Sequence, residues 1–219
     1  MGDFSDWDTD WEGIGRRYKS DHKIDECVIK QRAMRRRLKN DELHFKRAKA
    51  LEDLCDEPKE GEQWRIVTEK QFNAYALILH VLQTRKISEL YLAVYRINEP
   101  TVDAITEMLD SGKIKKATFI ISSFFNQTKK PERWAIKLKD YCDAHPANTR
   151  HCYTHNHAKV VCIKTTKNEF FVFEGSGNMS DNARVEQYIY ERCKATYDFH
   201  KSWMSDLCTA TEKKRKEDR

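Results

Sequence analysis

From residue 157 to residue 178 the chain reads HAKVVCIKTTKNEFFVFEGSGN. Residues 150–164 and 170–174 are predicted strands, because β-branched and aromatic residues dominate their apolar runs and a polar turn through 165–168 separates them. Alternate residues of a strand point to the same side, so His157 and Lys159 are predicted to project from one face, about 7 Å apart. Both side chains can therefore reach one phosphate group.

The side chains of this hairpin match the needs of phosphodiester chemistry. Cleavage requires a nucleophile, donors or cations for the non-bridging oxygens, and an acid for the leaving group. A neutral His157 can attack phosphorus and Lys159 can balance the developing charge, while Ser176 and Asn178 can donate hydrogen bonds to the same oxygens.

Five neighbouring residues are predicted to assist. Gly175 and Gly177 allow the backbone to turn tightly beside a ligand. Glu186, at the start of the next predicted strand, can hold a histidine in the required tautomer, although a surface carboxylate is an equally good interpretation. His155 lies two residues before the predicted nucleophile on the same face, and Arg184 either binds phosphate or belongs to a solvated surface.

An α/β alternation extends outward from the hairpin. Strands that alternate with helices of 10–15 residues predict an α/β fold, a mixed sheet flanked by helices on both faces. The other predicted elements are, in chain order, a helix over 68–84, a strand over 87–97, a helix over 99–109, a strand over 118–125, a helix over 131–144, a strand over 185–191 and a last helix.

Two of these helices have specific sequence signals. Thr68 and Gln71 are three residues apart and form a candidate capping box at a helix start. The last helix has apolar residues at every fourth position, a stripe that predicts a surface facing the core. The stripe consists of Ala195, Phe199, Trp203 and Leu207.

The first 62 residues differ in composition from the rest. Residues 1–22 are polar and acidic, and rough helical spacing predicts two helices within 24–54. Residues 57–61 form a predicted linker. We therefore divide the chain into an N-terminal helical extension (1–62), an α/β domain (63–210) and a charged tail (211–219).

Positive charge is concentrated in the extension. Residues 30–50 contain nine Lys and Arg against two acidic residues, whereas the whole chain has a net charge of +5. This asymmetry predicts a basic arm that follows a nucleic-acid backbone. A helix packed on the domain, or on a second copy of the chain, is the alternative. The candidate nucleic-acid-binding residues are Arg32, Arg35, Arg36, Arg37 and Lys39.

Composition also bears on the cellular compartment and on membrane insertion. No apolar run approaches the length of about 18 residues that crosses a bilayer, and the acidic start differs from a signal peptide. Seven cysteines without paired spacing argue against a disulfide framework. We therefore expect a cytoplasmic protein without a membrane span.

A zinc site is the main alternative to phosphate chemistry in this region. Six Cys and His residues fall within sixteen positions, and zinc selects such ligands. However, the second separated pair of a standard zinc finger is missing, and a strand would send Cys152 and His155 to opposite faces. The six residues are Cys142, His145, His151, Cys152, His155 and His157.

At its hairpin the chain resembles the phospholipase D superfamily. That family's signature is His-x-Lys, four residues, Asp, six residues, and then Gly-Ser-x-Asn. Five positions match: His157, Lys159, Gly175, Ser176 and Asn178. The chain departs from the signature at Lys164, where the family has Asp, and its gap before Gly175 is four residues longer.

The resemblance implies a metal-independent mechanism through a phosphohistidine, with no cofactor. Family sites combine two such motifs, one histidine attacking and the other protonating the leaving group. Since the complete motif occurs once here, the resemblance implies a homodimer that shares one site on its two-fold axis. The even insertion keeps the strand faces in register, so the hairpin can tolerate its length.

These observations predict a homodimeric phosphodiesterase, with a nuclease favoured because of the basic stretch. The predicted catalytic residues are His157, Lys159, Ser176, Asn178 and Glu186. A non-catalytic nucleic-acid-binding protein is the first alternative, which Lys164 favours, and a zinc-stabilised interaction module is the second.

Overall fold

The computed structural model describes residues 43–48, 57–69, 73–126, 129–180 and 185–217. The predicted nucleic-acid-binding residues of the extension and the candidate phosphate ligand Arg184 lie outside these ranges. Their roles therefore remain predictions, as do the helices predicted within 24–54 wherever these fall outside the described residues.

The described residues form one mixed sheet of eight strands. Their order across the sheet is β1-β2-β8-β7-β6-β3-β4-β5. Strands β3, β4 and β5 run parallel to one another, whereas β6, β7, β8 and β2 follow β3 in antiparallel succession. The strands are β1 Leu43–Ala48, β2 Gln63–Glu69, β3 Ile87–Val94, β4 Ala117–Ser122, β5 Thr149–Thr154, β6 Val160–Thr165, β7 Phe170–Gly175 and β8 Val185–Arg192.

Helices cover both faces of the sheet, as predicted. The larger apolar core lies on one face, where the sheet packs against α1, α2 and α3. A smaller core on the other face lies under α4. Because side chains alternate along a strand, the central strands contribute to both cores and contain long apolar runs. The helices are α1 Tyr75–Leu82, α2 Glu99–Asp110, α3 Arg133–Ala144 and α4 Lys194–Glu217.

The predicted helix over 68–84 is wrong at Thr68 and Glu69, and Gln71 of the predicted capping box lies outside the described residues. Residues 63–69 form β2, and Thr68 is buried in that strand instead of capping a helix. Trp64, Ile66 and Thr68 are buried while the residues between them are exposed, which is the period-two pattern of a strand. Helix α1 begins only at Tyr75.

The predicted single strand over 150–164 is two strands that do not pair. β5 lies at the sheet edge, whereas β6 pairs with β3. The chain crosses between them at Asn156, whose buried amide nitrogen donates to the carbonyl oxygens of Val94 and Ile120 at 3.0 Å each. The Asn156 amide oxygen accepts from the Ala158 nitrogen at 3.0 Å. One buried side chain thus satisfies backbone groups of three segments and turns the chain across the strand ends.

Two terminal elements also differ from expectation. Residues 43–48, predicted as helix, form β1, which pairs in parallel with β2 and so joins the sheet of the domain. Helix α4 continues to Glu217, beyond the predicted boundary at residue 210. No helix within the described ranges is long and apolar enough to cross a membrane.

The buried face of α4 is not the predicted stripe. Ala195 is exposed, and the helix instead buries Tyr197, Met204 and Cys208 against the sheet. Tyr197 fixes this rotation, because its hydroxyl donates to the Glu89 carboxylate at 3.2 Å. Trp203 and Leu207 of the predicted stripe pack only at the margin of this core.

Candidate active site

The sheet topology brings the predicted site residues to one edge. β3, β4 and β5 are parallel, so the segments that follow them emerge at the same edge of the sheet, where antiparallel β6 begins. Open α/β sheets bind ligands at such carboxyl-terminal edges. His157 and Lys159 lie in the crossing segment between β5 and β6, and the Gly-Ser-x-Asn segment follows β7 at the same edge.

His157 and Lys159 are in direct contact. The Lys159 Nζ lies 3.0 Å from Nδ1 and 3.4 Å from Nε2 of His157, and donates to the His157 carbonyl oxygen at 2.8 Å. The strand alternation that predicted this proximity is wrong, since β6 begins only at Val160. An ammonium group has only donors, so the ring nitrogen that it contacts is the acceptor. The arrangement therefore places a cation directly against the candidate nucleophile.

The charge of Lys159 is tuned by two opposing effects. Partial burial of the ammonium group lowers the pKa of Lys159, and the negative charge of Glu186 raises it by a smaller amount. The net result is a pKa below the usual value for lysine. Because water is partly excluded, this cation interacts more strongly with a phosphate than a solvated lysine would.

Glu186 is held by Ser176. The Ser176 hydroxyl donates to the Glu186 carboxylate and accepts from the Gln187 backbone nitrogen at 3.1 Å. Among the described residues, Glu186 accepts a hydrogen bond from this serine, and its negative charge raises the pKa of Lys159. The structure therefore places Glu186 at the serine and the lysine; its predicted contact with a histidine stays a prediction.

Asn178 joins two segments that meet at the site. Its side-chain oxygen accepts from the Arg96 backbone nitrogen at 3.2 Å, and the next residue, Met179, donates its backbone nitrogen to the Arg96 carbonyl oxygen at 3.1 Å. Met179 is fully buried, which anchors the segment. Because the amide oxygen of Asn178 accepts here, its amide nitrogen is the group that can donate to a phosphate.

Gly175 holds the two halves of the motif together. Its backbone nitrogen donates to the Lys159 carbonyl oxygen at 3.1 Å. A Cβ at this position would lie 2.2 Å from Cδ1 of Tyr188 and 2.5 Å from the carbonyl oxygen of Gln187. The residue is therefore glycine because the neighbouring strand approaches too closely for any side chain. Gly177, two residues on, is buried within the same segment.

We expect Gly175→Ala to lower the free energy of unfolding by about 3 kcal/mol, the upper end of the range for overpacking, because one clash involves backbone. Cleavage should fall with it, since the Lys159 pairing is displaced. Gly112→Ala is the matched control: φ is +69° there and no atom lies within 4 Å of the added Cβ. It should cost about 1 kcal/mol through backbone conformation alone. Chemical denaturation would show this difference, and equal losses would contradict it.

An open groove connects the parts of the site. It is lined by the predicted residues His157, Lys159, Gly175 and Ser176, together with Ala158, Val160 and Glu174. Asn178 and Gly177 lie in the segment just beyond this lining. His155 is exposed in the crossing segment and is not among the groove-lining residues.

Sequence reasoning missed the acidic wall of this groove. The Glu174 carboxylate lies 2.9 Å from Nε2 of His200, and the Trp203 indole donates to Nδ1 of His200 at 3.0 Å. Because an indole N–H only donates, Nδ1 is the acceptor and Nε2 carries the proton given to Glu174. Glu174 directly precedes Gly175 of the motif, and this position was the one sequence signal for a residue at the site. No local signal linked Glu174 to His200 of α4.

The departure at Lys164 lies far from the groove. Lys164 is the fifth residue after Lys159, a distance of about 16 Å along the strand. Lys164 forms an ion pair with Glu89 at 3.3 Å. Burial raises the pKa of Glu89, but the hydrogen bonds and charges of Lys201 and Lys164 outweigh that effect and hold the pKa below its usual value. The chain thus has a charge pair of its own at this position.

The longer gap is also at the far end of the hairpin. β6 and β7 keep continuous antiparallel register from Val160↔Glu174 to Lys164↔Phe170. The extra residues form the turn, where Asn168 adopts φ = 60°. The two strands therefore pair regularly up to the site, where Val160 lies opposite Glu174.

The candidate zinc ligands do not converge. Cys152 faces α4, where its Sγ lies 3.0 Å from the Thr211 hydroxyl. His151, the preceding residue of β5, lies on the opposite side of the strand near Asp143, with 3.6 Å between Nε2 and the carboxylate. Among the described residues, no group of three or more His, Cys, Asp or Glu side chains is arranged to hold a metal ion.

The solved structures that are similar to this chain include the following three. Nuc from Salmonella typhimurium, a phospholipase D family member, is 16% identical with a TM-score of 0.44, over 61% of this chain and 86% of Nuc. Polyphosphate kinase from Porphyromonas gingivalis is 16% identical with a TM-score of 0.44, over 59% of this chain and 23% of the kinase. Phosphatidylserine synthase from Haemophilus influenzae is 13% identical with a TM-score of 0.40, over 58% of this chain and 34% of the synthase.

This chain therefore spans most of Nuc but only about a quarter of the kinase and a third of the synthase. The family of Nuc is the one that the His-x-Lys and Gly-Ser-x-Asn motifs resemble. No protein-family model matches the chain, and a comparison with curated proteins gives no match.

Proposed function

We propose that the protein is a phosphodiesterase that needs no metal ion and cleaves nucleic acid through a phosphohistidine, at a site shared by two copies of the chain. The observation that carries the proposal is the contact of His157 with the Lys159 ammonium group beside Gly175, the last residue of β7. A nucleophile and a cation at one open groove are what attack on a phosphodiester requires.

In the proposed first step, a ring nitrogen of His157 forms a bond to phosphorus and the bond from phosphorus to the leaving oxygen breaks. His157 of the partner subunit donates its proton to that oxygen. In the second step the same partner imidazole takes a proton from water, the water oxygen bonds to phosphorus, and the phosphorus–nitrogen bond breaks. The products are an alcohol and a phosphomonoester, and both histidines return to their starting states.

Three donors stabilise the negative charge that develops on phosphorus. Lys159 supplies the cation and Asn178 supplies a hydrogen bond to a non-bridging oxygen. The Ser176 hydroxyl has a single proton, which it donates to Glu186 in the structure, and it becomes the third donor when it turns from that carboxylate to the phosphate. Two-fold symmetry makes the second histidine available, because an isologous interface brings identical residues together on its axis.

The test is cleavage of labelled single-stranded and double-stranded nucleic acid, and of a small phosphodiester, by the purified protein in EDTA. We expect cleavage of nucleic acid to persist after chelation. Cleavage of the small diester alone would contradict the proposed substrate, and binding without cleavage would indicate a non-catalytic nucleic-acid-binding protein. Loss of folding in EDTA would favour a zinc-stabilised module.

The alkaline limit of activity should report the ionisation of Lys159. Its protonated form is required, so activity is present below its pKa and is lost as the pH rises through it. Because burial lowers this pKa, the loss should occur at a lower pH than for a solvated lysine. Glu186→Gln removes the charge that raises the pKa, so the alkaline limit should move to still lower pH.

Measured pH–rate profiles of the parent protein and of Glu186→Gln check whether the alkaline limit moves to lower pH. Lys159→Arg is the matched control, because a guanidinium stays charged throughout the range and should move the alkaline limit upward. A Glu186→Gln profile displaced to higher pH would contradict the assignment of Lys159.

A further inference from the structure

An aromatic cluster borders the candidate active site and has no role in the mechanism above. It consists of Tyr95, which follows β3, and of Phe124 and Phe125, which follow β4. Both segments emerge at the sheet edge that carries His157. The fold therefore brings three rings from two separate segments to the rim of the phosphate groove.

The rings form a continuous path away from His157. The Tyr95 ring centroid lies 5.0 Å from that of His157, and the Tyr95 and Phe124 rings are nearly parallel, 24° apart in plane angle with 6.5 Å between centroids. Two ring-to-ring contacts thus link the candidate nucleophile to Phe124 through Tyr95. A strand with one phosphate at His157 therefore has Phe124 as the exposed end of the adjoining row of rings.

Phe124 is exposed but rigidly supported. Its side chain is 61% exposed, whereas neighbouring Phe125 is 6% exposed and packs against Trp134. The Phe125 ring contacts both Phe124, at 5.2 Å, and Tyr95, at 5.1 Å. Single exposed apolar side chains are common on protein surfaces. This one differs because a buried ring fixes its orientation and a phosphate site lies beside it.

Positive charge accompanies the rings. The Lys159 ammonium group lies 5.7 Å from the Tyr95 ring centroid, and the exposed Arg96 guanidinium lies 5.7 Å from that of Phe125. Arg96 is also the residue whose backbone nitrogen binds Asn178. Aromatic faces combined with cations along a groove are how proteins bind single-stranded nucleic acid without sequence preference.

We propose that Phe124 is a stacking platform for the base next to the scissile phosphate, that Arg96 binds the adjoining phosphate, and that the site therefore takes single-stranded nucleic acid. This inference rests on the proposed function and specifies its substrate. Bases within a duplex are already stacked and paired, so only an unpaired base can lie on the ring. Stacking does not depend on the sugar, so DNA and RNA strands should both bind.

Binding to a strand that contains 2-aminopurine tests the platform. The His157→Ala protein serves as the background, because it keeps the rings and should not cleave the strand. Stacking should quench the 2-aminopurine fluorescence, and Phe124→Ala should abolish that quenching and weaken binding by at least roughly fivefold. Phe124→Trp should restore both.

Three comparisons make the result specific to base stacking. Ile136→Ala, which removes another exposed apolar side chain, from α3, should leave binding unchanged. An abasic strand of equal length should bind the Phe124→Ala protein and its parent equally. A fully paired duplex should bind weakly to both. Arg96→Ala should weaken binding of the normal and abasic strands alike.

The outcomes separate this inference from the proposed function. Cleavage of single strands that is unaffected by Phe124→Ala would overturn the platform and leave the enzyme intact. Base-dependent quenching in a protein that cleaves nothing would support the platform and contradict the enzyme. Dissociation of a dimer by Phe124→Ala, measured by sedimentation, would show that a second copy of the chain covers the ring and would overturn the inference.

Discussion

Replacing His157 by alanine is expected to reduce phosphodiester cleavage by at least roughly a thousandfold, because removing the nucleophile of a covalent mechanism removes the reaction path itself. The substitution should cost little stability, since His157 is exposed and its ring lies at the surface end of the aromatic cluster. Steady-state rates measured beside thermal unfolding would distinguish loss of chemistry from loss of folding.

His155→Ala is the matched control for this experiment. It removes the same type of side chain from the same crossing segment, and His155 is also exposed, but it does not line the groove. We expect its rate to stay within about tenfold of that of the parent protein. Similar losses in the two variants would indicate that the segment, rather than the His157 imidazole, supports activity, and a fully active His157→Ala protein would exclude a phosphohistidine on this residue.

The hairpin could be predicted from sequence because its signals are local. Alternating burial in β8, the apolar runs of β6 and β7 and the turn at Asn168 all fall within short windows, and the observed register follows from them. The central strands and α2 were also predicted within a few residues. For α2, Asn98 caps the helix by accepting from the Thr101 nitrogen at 3.0 Å, and a proline lies in the first turn.

The crossing segment could not be predicted because its cause is long-range. Asn156 is an ordinary polar residue in the sequence, and its role depends on two carbonyl oxygens, of Val94 and Ile120, that are 62 and 36 residues away. Without that contact, the alternation before and after it was interpreted as one strand. The sequence predicted His157 and Lys159 on one strand face about 7 Å apart. In the structure the two side chains are in contact outside any strand, so the strand geometry was the wrong reason for their proximity.

The face of α4 was predicted incorrectly for a similar reason. The apolar stripe that included Ala195 and Phe199 had regular spacing, but helix rotation was decided by Tyr197 and by two small or flexible residues, Met204 and Cys208. Tyrosine and cysteine contribute weakly to an apolar pattern, yet both pack well when buried. The observed rotation of α4 also places His200 against Glu174. The apolar pattern of the helix did not reveal this rotation, so it could not reveal the role of Glu174 in the groove.

The shared site predicts that inactive chains inhibit active ones. Each proposed centre contains His157 from two subunits, so a wild-type chain is active only when its partner is also wild type. After complete subunit exchange, the fraction of wild-type chains with a wild-type partner equals their fraction in the mixture. With a hundredfold excess of His157→Ala chains, activity per wild-type chain should therefore fall to roughly one hundredth, whereas a site within one chain would keep its activity.

The measurement follows cleavage of a strand with a poor leaving group, because such a substrate depends most on the histidine that acts as acid. Substrate is kept saturating so that binding by the inactive variant does not lower the rate. The control is the same mixture assayed before exchange, in which wild-type dimers are still intact and activity should be undiminished. Full activity after exchange, or a strictly monomeric active species in sedimentation, would place the complete reaction within one chain and require another acid beside His157.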